Sequence, residues 1–257
     1  INSYGSGSTG HLYRGIGEFT DEYTLRVKLN DSGEYSEPFR GERFVIASGA
    51  RSIIPPIEGL NDIDYITSES FFGDKFPDEP WESLTIIGGG IIAAEFAHIF
   101  SALGTEVTII EMLPRLVSQE EPEVSRFLEK NFKKHMNVLL NSKAVKVHSK
   151  RGKKVVVTEN SKTGETKKVK AQEILVATGV RTNADKLKVE NTGIQTDERG
   201  WIKTDEFLET NKEKIWCIGD ANGKYQFRHK ANYEAEICMN NIFGQEKQKA
   251  EIGRAHV

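Results

Sequence analysis

Three consecutive glycines, Gly88-Gly89-Gly90, followed by Ile91-Ile92-Ala93, are the residues best placed to do chemistry here. They fit the spacing G-x-G-x-x-A. Gly88 allows a sharp turn, Gly90 lets a backbone approach a ligand closely, and the small Ala93 lets a helix pack tightly on a strand. Ala94 continues that helix. Free backbone N–H groups at a helix start, with the positive end of its dipole, favour a pyrophosphate. Glu111 follows Gly90 by 21 residues. That is where an acidic side chain accepts hydrogen bonds from both hydroxyls of an adenosine ribose. A carboxylate there repels a 2′-phosphate, so the ligand class is NAD(H) rather than NADP(H). Glu95 reads equally as a solvated charge near a helix N-terminus or as a group near the nicotinamide. The bland alternative for the glycines is a tight turn in an unrelated α/β protein. The flanking strand, helix and acid weigh against it.

The elements that must hold this loop are legible from pattern. Leu84–Ile87 reads as a strand and Ile91–Leu103 as a helix, with Gly104 placed to cap it. Glu106–Ile110 is β-branched and continuous, as buried parallel strands are. Ser118 and Glu121 have capping-box spacing, with Pro122 in the first turn, and Val124, Phe127, Leu128 and Phe132 form a helical stripe ending near His135. Val138–His148, Lys153–Glu159 and Glu165–Lys170 alternate, so they predict an antiparallel meander. Glu173–Ala177 and Ile215–Ile218 are buried strands closed by Thr178-Gly179 and Gly219-Asp220. Lys230–Ile242 predicts a helix. Before the loop, Leu12-Tyr13 and Tyr23–Leu29 read as a strand pair with a turn at Gly15–Gly17, and Arg43–Ala47 as a short buried strand. Prolines 55, 56, 77 and 80 mark residues 55–81 as a linker and domain boundary. The fold class is α/β with a mostly parallel sheet.

Composition narrows the function. With 35 basic against 38 acidic residues, nothing calls for nucleic acid or an anionic surface. The uncharged run Leu84–Ala94 is 11 residues long, whereas a membrane span needs about 20. Two cysteines, Cys217 and Cys238, form no disulfide framework, so a cytoplasmic setting is the default. Both read as structural. No metal-ligand spacing and no nucleophile elbow appears. The basic stretch Lys143–Lys154, with Lys167, Lys168 and Lys170, reads as a solvated face of the meander.

At these residues the sequence resembles the flavoprotein disulfide reductases, closest to dihydrolipoamide dehydrogenase and mercuric reductase. Leu84–Ala97 and Leu103–Glu111 are similar to the family's NAD domain. Phe44–Arg51, then Ile54–Gly59, resembles its first A-T-G motif and proline-rich crossing, with Ser48 in place of Thr. Ile174–Asn183 resembles the second A-T-G motif. Ile215–Asp220, then Phe227–Ala231 and Glu234, resembles the flavin-binding G-D motif and the helix behind it, with Ala235 in place of Gly.

The resemblance implies a Rossmann-like NAD-binding domain at 63–186, with a parallel sheet plus antiparallel meander. Partial FAD- or central-domain segments would flank it at 1–62 and 187–257. For NAD it implies residues Gly88 to Glu95, Glu111, Ala144 beside the adenine, and Gly179 closing that site. For FAD it implies Ser48, Gly49, Asp220, and Gln226, Phe227, Arg228 and His229 along the flavin. The family's own FAD glycine loop, C-x-x-x-x-C pair and His–Glu pair are not in this sequence, and His256 is no substitute. No catalytic residue is therefore expected in this chain. The sequence, from Ile1 through Gly/Ser-rich Ser3–Gly10 to Val257, reads as the middle of a larger enzyme. That parent would pass hydride between NAD(H) and FAD, act on a small or protein-bound disulfide, and form a homodimer. The alternatives are a non-catalytic NAD(H)-binding module, or part of an NADH oxidase-type flavin reductase without a dithiol step.

Overall fold

The structure, a computed structural model, describes residues 10–251. Ser3 to Thr9 and His256 lie outside the described residues. The chain divides into two compact units. One combines the residues up to Arg51 with those from Arg181 onward, and the other is the continuous stretch 52–180. The two segments that flank this continuous stretch thus form one unit. Its crossings at 51/52 and 180/181 differ from the expected limits at 62/63 and 186/187.

The first unit opens with an antiparallel sheet of β1 (Gly15–Asp21), β2 (Thr24–Leu29) and β3 (Phe39–Arg40). Gly15–Gly17 is therefore not a turn but the start of β1. Glycine is needed at position 15 because a Cβ would stand 2.1 Å from the Lys28 carbonyl oxygen across the pair. The turn lies at Glu22-Tyr23, where Asp21 Oδ1 accepts the Tyr23 N–H. Then come β4 (Phe44–Ile46) and β5 (Ala50–Ser52), through which the chain leaves this unit.

The second unit contains α1 (Ser68–Phe71), β6 (Ser83–Ile87), α2 (Ile91–Ala102), β7 (Glu106–Ile110), α3 (Pro122–Phe132) and β8 (Asn137–Leu139). It continues with β9 (Ser142–Lys150), β10 (Lys153–Asn160), β11 (Thr166–Ala171) and β12 (Glu173–Val176). The parallel sheet has the order β12-β6-β7-β8, and β9, β10 and β11 form the meander. Both faces of the parallel sheet are covered, which is why its strands read as unbroken apolar runs. Leu84, Ile86, Val107, Ile109 and Leu175 pack on one side with Ala93, Phe96, Ala97 and Phe100 of α2. The intervening Ile87, Ile110, Ile174 and Val176 pack on the other with Ala144, Val147 and Val156 of the meander. Lys154 of β10 and Glu173 of β12 form a largely buried ion pair that ties meander to sheet.

Three expectations give way here. Residues 55–81 are no linker: Leu60, Ile66 and Phe71 are core residues, and the Glu58 carbonyl accepts the Val147 N–H at 2.7 Å. The stretch Val138–His148 is split. Its start is β8, paired in parallel with β7, and the chain turns through Asn141 at φ +51 before the meander begins. The Ser118–Glu121 capping box does not form. Glu121 occupies the N-cap without a side-chain hydrogen bond, and Pro122, whose fixed φ suits a first helical residue, starts α3.

The chain returns to the first unit through β13 (Val180–Thr182), paired with β5, and ends with β14 (Ile215–Cys217) and α4 (Arg228–Phe243). β14 lies parallel to β4, over a core of Phe19, Phe44, Ile46, Ile202, Ile215 and Cys217. The architecture is mixed α/β, with a parallel sheet beside antiparallel strands. No helix among the described residues is long and apolar enough to cross a membrane.

Candidate functional site

In the second unit, three adjacent parallel strands end together. Val176 lies opposite Ile87, and Ile87 opposite Ile110. Just beyond these ends come Gly179, Gly88 and Glu111, so the singled-out residues gather outside the carboxyl ends of the strands, where open α/β sheets take ligands. The Gly88 N–H donates to the Ile110 carbonyl at 2.9 Å and the Glu111 N–H to the Leu139 carbonyl at 2.8 Å.

Each glycine of the loop answers a different demand. Gly88 has φ +112, and a Cβ there would stand 2.2 Å from the Ala177 carbonyl oxygen. At Gly89 a Cβ would meet Glu111 Oε2 and Leu116 Cδ2, each at 2.8 Å. At Gly90 it would meet nothing among the described residues within 4 Å. The space beside Gly90 is therefore open, and α2 starts there with no side-chain cap on its first N–H groups. Ile91 is exposed and Ile92 half-buried, Ala93 is sealed in the core, and Ala94 is partly buried. Glu95 points to the exposed side of α2.

Glu111 is 8% exposed. Its Oε1 accepts the Leu113 N–H at 2.7 Å, and its Oε2 takes no hydrogen bond from any described residue. A fixed carboxylate with one free oxygen suits a diol. Ala144 is buried on β9 in the cluster with Ile87, Ile110 and Val176. Gly179 has φ +111, and its carbonyl accepts the Ile53 N–H at 2.9 Å. The open loop and the half-free carboxylate fit a ribose–pyrophosphate ligand.

The first unit holds a second pair of strand ends. Ile46 of β4 lies opposite Cys217 of β14, and the Ile218 N–H donates to the Ile46 carbonyl at 3.0 Å. Ser48-Gly49 and Gly219-Asp220 follow these ends. Ser48 Oγ is buried with no hydrogen-bond partner among the described residues. The Asp220 carboxyl is half-buried, also without a described hydrogen-bond partner, and burial raises its pKa above the usual carboxylate value. An orphaned hydroxyl and a desolvated carboxyl on neighbouring strand ends fit a polyhydroxylated chain such as a ribityl. Gln226, Phe227, Arg228 and His229 are exposed where the chain enters α4.

Supporting groups surround these residues. Glu234, 1% exposed, accepts the Gly219 N–H at 2.7 Å and Asn222 Nδ2 at 2.9 Å, fixing the turn that carries Asp220. Lys230 Nζ stands 3.8 Å from its other oxygen. Asn183 donates to the Ser48 carbonyl at 2.8 Å. The Val117 N–H donates to the Gly89 carbonyl at 2.7 Å. Glu234, Lys230 and Asn183 fall within the family motifs without a role assigned to them there, whereas Val117 had no signal, since it acts through its backbone. Cys217 and Cys238 are free, buried thiols whose pKa burial raises, that of Cys238 to about 11. Among the described residues no group of three His, Cys, Asp or Glu side chains is arranged to hold a metal.

Fold and sites together define a class. Residues 13–235 match the pyridine nucleotide-disulphide oxidoreductase family, and the chain belongs to it. Its particular likenesses include a mercuric reductase and a dihydrolipoyl dehydrogenase. It is 32% identical over 242 residues to the mercuric reductase of Staphylococcus aureus, covering 94% of this chain and 42% of that protein. It is 32% identical over 232 residues to the dihydrolipoyl dehydrogenase of Mycobacterium tuberculosis, covering 90% of this chain and 48% of that protein. The chain thus spans less than half the length of these curated relatives. Among solved structures it resembles the HOCl-induced flavoprotein disulfide reductase RclA from Escherichia coli. That match has a TM-score of 0.78 at 26% identity, over 92% of this chain and 51% of that one. The resemblance read from the motifs is borne out at the level of the family.

Proposed function

We propose that this chain carries the NAD(H)-binding portion of an FAD-dependent disulfide oxidoreductase of the dihydrolipoyl dehydrogenase and mercuric reductase kind. The observation that carries the reading is the arrangement at the ends of β6 and β7. A glycine loop open at Gly90 lies beside a buried Glu111 carboxylate with one oxygen free. Gly88 to Glu95 would hold the pyrophosphate and approach the nicotinamide, Glu111 the adenosine ribose, and Ala144 and Gly179 the adenine side. Ser48, Gly49, Asp220 and Gln226 to His229 would bind FAD, supported by the orphaned Ser48 hydroxyl and the desolvated Asp220. The two cofactors would supply the hydride exchange, and this chain's residues bind and orient them. In a longer protein, a homodimer acting on a disulfide is the partner reading.

The test is a fluorescence titration with NADH and NADPH. The chain is expected to prefer NADH, and Glu111→Arg to shift preference towards NADPH. An unchanged affinity ratio in the variant counts against Glu111 as the ribose partner. No NADH binding at all overturns the reading.

A further inference from the structure

Val117 grips the glycine loop from a backbone conformation that valine rarely adopts. Its φ is +41. A β-branched side chain crowds the backbone there. Such a conformation persists only where the surroundings over-determine it, and three hydrogen bonds do so. The Val117 N–H donates to the Gly89 carbonyl at 2.7 Å, and its own carbonyl accepts the Glu120 N–H at 2.8 Å. The same carbonyl accepts the Ser125 hydroxyl at 3.2 Å. Ser125, on α3, is 0% exposed, so water does not replace that bond.

The consequence lies in the neighbouring peptide. The bond between Gly89 and Gly90 is trans, so its C=O and N–H point in opposite directions. With the carbonyl fixed on Val117, the Gly90 N–H is turned away from the 112–118 segment. Two glycines flank this peptide, and neither has a Cβ to stop it rotating. A flipped peptide would put the negative end of its dipole where the N–H now stands, which an anionic ligand disfavours.

We propose that Val117 is a positioning residue for the pyrophosphate. Ser125 holds Val117 in the left-handed region, and Val117 holds the Gly89–Gly90 peptide with its N–H towards the ligand. This deepens the dinucleotide reading and rests on it.

The experiment titrates the 257-residue chain with ADP and with adenosine, in calorimetry. Ser125→Ala adds no volume and frees Val117 to relax. It is expected to weaken ADP about tenfold, the scale of one charge-assisted hydrogen bond, and to leave adenosine within about twofold. Adding Val117→Gly to Ser125→Ala is expected to restore ADP to within about twofold of the parent, because glycine keeps a positive φ without the clamp. A merely structural Val117 predicts the opposite, since the second change removes a buried side chain. The proposal is overturned if Ser125→Ala leaves ADP unchanged, weakens ADP and adenosine alike, or is not rescued. If the parent chain binds neither ADP nor NADH, the dinucleotide reading falls first and takes this one with it.

Discussion

Arg51 holds Asp185 through two parallel hydrogen bonds, 2.8 Å from Nη1 to Oδ1 and 2.6 Å from Nη2 to Oδ2. The same guanidinium donates to the Thr182 carbonyl at 2.6 Å and to Asn183 Oδ1 at 3.0 Å. Arg51 therefore fastens the start of the returning segment to the end of the departing one. Its hydrogen bonds lower the Asp185 pKa from 3.8 to about 2. A folded pKa below the unfolded one stabilises fully above about pH 4 and is lost as pH falls towards 2. Because Asp185 is about half exposed, the pair contributes only ~0.5–1 kcal/mol. Asp185→Asn is expected to lower the urea midpoint at pH 7, with the difference from the parent vanishing near pH 2.

Gly88 and Gly90 should respond differently to the same substitution. Gly88→Ala forces a Cβ onto the Ala177 carbonyl at positive φ, so it should lower stability by about 1–3 kcal/mol. At Gly90→Ala the added Cβ meets no described residue within 4 Å. It should leave the melting temperature unchanged while weakening NADH. Paired thermal melts and NADH titrations check both halves. A Gly90→Ala protein that binds NADH normally would remove Gly90 from the pyrophosphate cradle.

Glu234→Gln should be costly although it preserves shape. The carboxylate is buried, accepts two hydrogen bonds through one oxygen, and lies beside the buried Lys230 ammonium. Removing its charge takes the carboxylate from that ammonium and leaves it the Tyr225 and Tyr233 ring faces, 5.5 and 4.8 Å from Nζ, a loss of about 3–5 kcal/mol. Denaturant unfolding of the two proteins measures it. A loss under about 0.5 kcal/mol would show that the pair has little weight.

The thiols should be silent in the native protein. Burial raises both pKa values and also denies access to reagents. An aromatic disulfide reagent at pH 8 is expected to modify neither Cys217 nor Cys238 until denaturant is added, and then both. Rapid native labelling would contradict the packing of β14 and α4.

The parallel sheet and its loop were legible because their residues leave little choice. Gly88 is there because a neighbouring carbonyl excludes a Cβ, and Ile86 and Ile109 because both faces of the sheet are covered. Other features escaped because one residue type serves several geometries. Gly15 marks a close strand approach rather than a turn. The prolines at 55 and 56 precede a segment that docks by backbone hydrogen bonds to β9, which no side-chain pattern advertises. The capping box at Thr67 uses Ser70 rather than a glutamate and starts a helix of only four residues. Val117 is the extreme case, since its residue type argues against the backbone it adopts.

The pairing of β4 with β14 has a consequence for biosynthesis. β4 leaves the ribosome long before Ile215–Cys217, and the whole of 52–180 is made in between. That continuous unit can complete its own sheet from residues already released. At roughly 5–20 residues per second, β4 waits on the order of ten seconds for its partner. During the wait its edge is open to other nascent chains. A strand of three residues gives them little to pair with.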